Sequence, residues 1–183
     1  MKFEGEHRIA AAREVVFSAL NSPDALKHAI PGCERLVKVS DTEMEATVIA
    51  RVGPVKAPFS GSCTLSNVIP PQSYLLTGEG KGAASMGRCK AAVNLKADGD
   101  ETLLTYEFTA EVSGKLAQIG SRLVESSARK LANDFFETFS ANIVGEDLKP
   151  ASAKERSASL TIIWKLAAAL CALLATFWYF SGA

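Results

Sequence analysis

The chain has 183 residues, 20 of them basic and 20 acidic, so its formal net charge is zero and bulk electrostatics give no footprint for nucleic acid. At 48% hydrophobic and 22% charged residues it is too apolar for a disordered chain and has globular proportions. Its four cysteines, Cys33, Cys63, Cys89 and Cys171, are scattered, with no C-x-x-C pair and no adjacent histidine, which argues against a metal centre and for small, partly buried thiols.

Residues 2–10 alternate, with Phe3, Gly5, His7 and Ile9 on one face and Lys2, Glu4, Glu6 and Arg8 on the other, which predicts a strand with one wet face. The stretch has no apolar run after Lys2, so it does not read as a signal peptide, and the body is expected in the cytoplasm. Helical spacing follows through Val16, Ala19 and Leu20. A second short helix restarts at Ser22 as N-cap, with Pro23 in its first position and Asp24 in its first turn, and Pro31-Gly32 stops it. Six extended segments come next, at 34–40, 43–52, 56–68, 73–80, 86–97 and 102–112, separated by turn signals such as Gly53-Pro54, Pro70-Pro71 and Asp98-Gly99-Asp100. Short connections of this kind predict an antiparallel meander.

From Lys115 to Val144 apolar residues recur at helical intervals without a proline, which predicts one long amphipathic helix. The order gives an α+β fold, a seven-stranded curved antiparallel sheet around a long C-terminal helix: the helix-grip layout, occupying residues 1–145. The sheet-facing stripe of the helix mixes Gly120, Ser127 and Ala128 with Leu116, Ile119, Leu123, Val124 and Leu131. Small residues there either leave a cavity or let helix and sheet approach closely. The glycine-rich segments 52–61, with Phe59, and 78–87, with Met86, read as mobile loops able to rim an apolar pocket.

Residues 146–159, EDLKPASAKERSAS, read as a flexible tether. Leu160 to Phe180 then carry one charge, Lys165, and at 1.5 Å per residue extend about 31 Å, which matches the hydrocarbon thickness of a bilayer. A transmembrane anchor is predicted, with Trp164 and Lys165 at one interface and Trp178 and Tyr179 at the other. Lys149, Lys154, Arg156 and Lys165 on its N-terminal side keep the body cytoplasmic under the positive-inside rule, as in a tail-anchored protein of the cytoplasmic membrane.

Three runs, VFSALNSPDALKHAIPGCERL (16–36), VGPVKAPFSGSCTLS (52–66) and GEGKGAASMGRCKAAVNL (78–95), resemble the carbon monoxide dehydrogenase G-subunit family, and the similarity extends over residues 1–145. That family belongs to the START-like (SRPBCC) superfamily. The resemblance implies an accessory protein that brings a molybdenum-containing carbon monoxide dehydrogenase, or a related hydroxylase, to the cytoplasmic membrane. It also implies an apolar cavity suited to a respiratory quinone, menaquinone or ubiquinone. The sequence departs from the family at Ser85-Met86-Gly87, where an aromatic residue is expected.

Catalytic chemistry finds little support. His7 and His28 fall on different elements and in no triad or H-E-x-x-H pattern, and the glycines at 78, 80 and 82 precede no helix that could hold a phosphate. No catalytic or metal-ligating residue is nominated. The reading is a non-catalytic, membrane-anchored carrier of an apolar small molecule. Its rivals are a polyketide cyclase or dehydratase on the same fold and a maturation factor for the dehydrogenase. Lys81 and Arg88 near the mouth are solvated charges or else steer an acidic partner or lipid headgroups.

Overall fold

The computed structural model describes residues 1–147 apart from Pro54 and Ala83, so the predicted tether beyond Asp147 and the predicted anchor, with Trp164, Lys165, Trp178 and Tyr179, lie outside the described residues. Among the described residues no helix is long and apolar enough to cross a membrane. In chain order the elements are β1 (Lys2–Ile9), α1 (Arg13–Leu20), α2 (Pro23–Ala29), β2 (Cys33–Lys38), β3 (Glu43–Val52), β4 (Val55–Ile69), β5 (Ser73–Gly82), β6 (Ser85–Asp98), β7 (Glu101–Gly114), α3 (Lys115–Gln118) and α4 (Ser121–Asp147).

The seven strands form one antiparallel sheet in the order β1-β7-β6-β5-β4-β3-β2. Strands β2 to β7 follow as a meander, and the two-helix excursion after β1 lets that strand close the far edge against β7. Helix α4 touches both β1 and β3, although five strand positions separate them. At ~4.8 Å per strand a flat sheet would hold those two strands roughly 24 Å apart, so the sheet curves around the helix.

Two pieces of local chemistry follow the sequence closely. Ser22 caps α2 by accepting from the Ala25 N–H at 3.4 Å, with Pro23 at the first helical position. Gly99, at φ +64°, makes the β6–β7 turn, and Asp98 beside it pairs with Arg8 of β1 at 2.5 Å. The long helix departs from expectation. It is divided into α3 and α4 at Gly120, whose φ of +96° is outside the helical region for any L side chain, while the Gly120 carbonyl accepts the Val124 N–H to start α4. The two predicted loops are mostly strand as well: among the described residues, β4 pairs with β5 from Phe59–Gly82 to Ser66–Leu75, and β5 pairs with β6 as far as Gly82–Ser85.

The core sits at one end of this assembly. Ile9, Leu104, Leu95, Val93, Tyr74 and Leu65 on the sheet meet Val16 and Leu20 of α1, Ala29 of α2, and Phe139 and Ile143 of α4. Each large side chain buried there contributes roughly 1.5–3 kcal/mol. Thr102, fully buried in this layer, donates its hydroxyl to the Ala11 carbonyl at 2.7 Å, so that donor is met.

Candidate functional site

Alternation and register together determine what the inner face of the sheet offers to α4. Opposite α4, Phe3, Gly5, His7 and Ile9 of β1 lie in register with Phe108, Tyr106, Leu104 and Thr102 of β7. Following the pairing across the sheet, the inner rows nearest the core are large: Tyr106, Val93 and Tyr74 in one, Phe108, Ala91, Leu76 and Leu65 in the next. Beyond them the side chains shrink. One row runs Cys89, Gly78, Cys63, Met44, and the following row runs Gly87, Gly80, Gly61, Ala46. In that last row four adjacent strands present a strip with at most a methyl group per residue.

The direction of α4 decides which part of the helix covers this strip. Phe136 stacks on His7 at 4.2 Å between centroids, and the Arg129 guanidinium lies 4.9 Å from the Phe3 ring. Upstream, the Leu116 N–H donates to Ser85 Oγ at 3.3 Å. The helix therefore runs from the hairpin end toward the core, and its N-terminal half faces the small rows. Val124 and Ala128 lie on the face that continues to Phe135 and Phe139, and Val124 is buried. Leu123, Ser127 and Leu131, four residues apart, form one flank, and Leu123 covers Gly53 of the β3–β4 turn. Leu123 and Leu131 remain 40% and 46% exposed, unusual for leucines on a flank next to the sheet.

The structure brings together Leu116, Leu123, Val124, Ser127 and Leu131 at this end, with Ile119 half-buried at the end of α3 and Phe59 on the inner face. The Phe59 ring lies against Gly82, where an added Cβ would come within 2.8 Å of its ring carbons, so it covers a side-chain-free position opposite itself. Two of the predicted residues stand apart. Met86 pairs with Lys81 and Ser113 and so points to the outer face, because 78–87 is paired strand and strict alternation governs it. Gly120 is exposed in the break between α3 and α4, with nothing within 4 Å of an added Cβ, and so belongs to no stripe. The residues that sequence reasoning passed over are Gly61, Gly80, Gly87 and Ala46, whose only signal is alternation combined with strand pairing.

Two open depressions, of about 660 and 380 Å³, lie on the outer face among polar side chains such as Thr64, Thr77, Glu79 and Arg88 in the first and Glu4, Asn94 and Glu107 in the second. None of the predicted cavity residues lines either. Arg88 there pairs with Glu79 at 3.7 Å.

The electrostatics of the inner face are those of an apolar surface. Burial pushes the Cys63 and Cys89 thiols up from their ordinary range, which keeps them protonated and poor nucleophiles, and burial likewise raises Tyr74. Among the described residues no cluster of histidine, cysteine and carboxylate side chains could hold a metal ion. His28 is exposed, with Nδ1 2.8 Å from the Asp24 carbonyl.

His7, between Tyr106 of β7 and Phe136 of α4, is held below its ordinary value of 6.5 by desolvation. The folded state is thus harder to protonate at this site than the unfolded state. Stability is whole above the unfolded value and is expected to fall as pH drops through and below it. Urea midpoints measured at about pH 7.5 and about pH 5 check this, and His7→Phe is expected to flatten the difference.

Residues 5–144 match the profile of the carbon monoxide dehydrogenase G-subunit (CoxG) family. No curated protein matches the chain. Among solved structures, a conserved protein from Geobacillus kaustophilus is similar at a TM-score of 0.75 and 27% identity, covering 79% of this chain and 96% of that one. A START superfamily protein from Mycobacterium smegmatis aligns at 0.60 and 12% identity over 81% and 99% of the two chains. An aromatase/cyclase from Streptomyces sp. R1128 aligns at 0.57 and 14% identity over 84% and 98%. The last two likenesses show the shared fold alone. A seven-stranded antiparallel sheet gripping a C-terminal helix, START-like neighbours and a family match over most of its length together make this chain a member of the CoxG family.

Proposed function

We propose that the chain is a non-catalytic accessory protein that carries an apolar molecule, a respiratory quinone, on the inner face of its sheet. In this reading it is anchored to the cytoplasmic membrane by residues 160–180 and serves a molybdenum-containing carbon monoxide dehydrogenase or a related hydroxylase there. The observation that carries the reading is the row Gly87, Gly80, Gly61, Ala46 beneath the first half of α4, beside two half-exposed leucines. Such a strip can receive a flat ring or an isoprenoid chain, and each methylene buried on it contributes about 0.8 kcal/mol. Family membership supports the dehydrogenase as the partner.

The cyclase reading needs an acid or base at the strip. The side chains there and in the row beside it are two protonated thiols, a thioether and a methyl group, and His7 and Tyr106 stack together nearer the core. That composition supports a carrier. The test is mass spectrometry of organic extracts from the full chain purified out of its native host, with a strip-filled variant as the background control because it keeps the same C-terminal segment. About one quinone per chain, lost in the variant, is the expected result; equal amounts in both would sink the reading.

A further inference from the structure

We propose that the hairpin end of the domain is a docking surface for an anionic lipid bilayer, independent of any C-terminal anchor, and that it sets the open side of the glycine strip against lipid. The proposal deepens the carrier reading and rests on it for its purpose.

Three segments meet at this end, residues 48–59, 80–86 and 112–124. They hold Arg51, Lys56, Lys81, Lys115 and Arg122 and not one aspartate or glutamate. All five cations are exposed, and among the described residues none takes part in an ion pair. The remainder of residues 1–147 carries eleven basic against nineteen acidic side chains. The domain is therefore strongly polar in charge, with its positive pole at the hairpins, although the chain as a whole is neutral.

The fold gathers these cations from distant parts of the sequence. Arg51 and Lys56 oppose each other across the β3–β4 hairpin. Lys81 precedes the β5–β6 turn, and the Lys115 N–H donates to Ala84 in that turn at 3.0 Å. Arg122 neighbours Leu123, whose side chain covers Gly53. The start of the 27-residue α4 adds its own partial positive charge. Of the carboxylates next to these segments, Glu125 pairs with Arg129 at 2.9 Å and Glu79 with Arg88 at 3.7 Å.

A bilayer fits this surface better than an acidic protein or a nucleic acid. Arg122 adjoins Leu123, which is 40% exposed, and Arg51, Lys56 and Lys81 alternate to the outer side of the hairpin ends beside it. A headgroup layer over hydrocarbon receives both kinds of group together. Phe59, the aromatic residue of this end, lies against Gly82 and leaves no ring free for base stacking.

The experiment uses the full chain reconstituted in vesicles of phosphatidylcholine alone or of phosphatidylcholine with phosphatidylserine, read by amide hydrogen exchange. Exchange at residues 50–53, 80–82 and 115–122 is expected to slow about tenfold in the anionic vesicles only, since each cation near such a surface strengthens binding about fivefold. High salt should remove that protection by shortening the screening length. Lys56→Glu, Lys81→Glu, Lys115→Glu and Arg122→Glu together should abolish it while exchange in β1 and β7 stays slow, which shows the variant folded. Protection independent of lipid charge overturns the proposal, and so does protection that appears only when the dehydrogenase is added. Loss of the quinone with the protection intact would count against the carrier reading alone, so the two failures are separable.

Discussion

Gly80→Leu combined with Ser127→Leu is expected to strip the apolar ligand from the chain while leaving the fold intact. Position 80 can take the added bulk because the nearest atom to a Cβ built there is the Ser60 carbonyl oxygen at 3.9 Å. Ser127 is half-buried on the flank between Leu123 and Leu131, so a leucine there extends an existing apolar stripe. The two side chains would occupy the volume of three or four ligand methylenes. At about 0.8 kcal/mol each, their exclusion costs about 3 kcal/mol, roughly a hundredfold in affinity. Extracted quinone per chain measures the loss, and the thermal midpoint, expected within a few degrees of the parent, measures the fold. Retained ligand in a variant with an unchanged midpoint would move the site off the strip. Gly120→Phe cannot serve for this purpose, because at φ +96° with open space around it the substitution strains the α3–α4 break and fills nothing.

The sheet and its helices were legible in the sequence because each rests on local chemistry. Alternation from Phe3 to Ile9 fixed the inner face of β1, Ser22-Pro23 started α2, and Asp98-Gly99-Asp100 turned the chain between β6 and β7. The break at Gly120 was not legible. Glycine is tolerated within helices at a modest cost, and only its observed left-handed φ distinguishes an end from an interior position. Met86 was assigned to the pocket because a glycine-rich stretch reads as loop; paired as strand, the same residues alternate and turn it outward. The strip itself could not be read, since Gly61, Gly80 and Gly87 become neighbours only through the pairing of β4, β5 and β6, and register is a property of the assembled sheet. The cationic end was half legible: Lys81 stood out as a charge near the mouth, whereas Lys115 and Arg122 join it only once α3 and α4 return to the hairpins.

Gly61→Ala should destabilise the protein by about 3 kcal/mol or more, at the upper end of overpacking costs, whereas Gly80→Ala, its register partner, should be neutral or stabilising by about 0.5 kcal/mol. The two positions face each other in the same inner row and differ in what surrounds them. A Cβ at Gly61 would overlap the Glu79 carbonyl oxygen and lie 2.9 Å from the Gly80 Cα, both backbone atoms that cannot rotate away. Relief would require β4 and β5 to separate, which stretches the ladder from Phe59–Gly82 to Leu65–Leu76 and flattens the sheet where it wraps the helix. At Gly80 the methyl meets only the Ser60 carbonyl oxygen at 3.9 Å, an ordinary contact, and the residue gains from the lower entropy of the unfolded chain. Urea unfolding of the two variants separates the effects, with a lower midpoint for Gly61→Ala at an unchanged slope. Equal midpoints would mean that the sheet does not need bare backbone at Gly61 to curve. The glycines of the strip would then be there to leave room for a ligand and not to bend the strands.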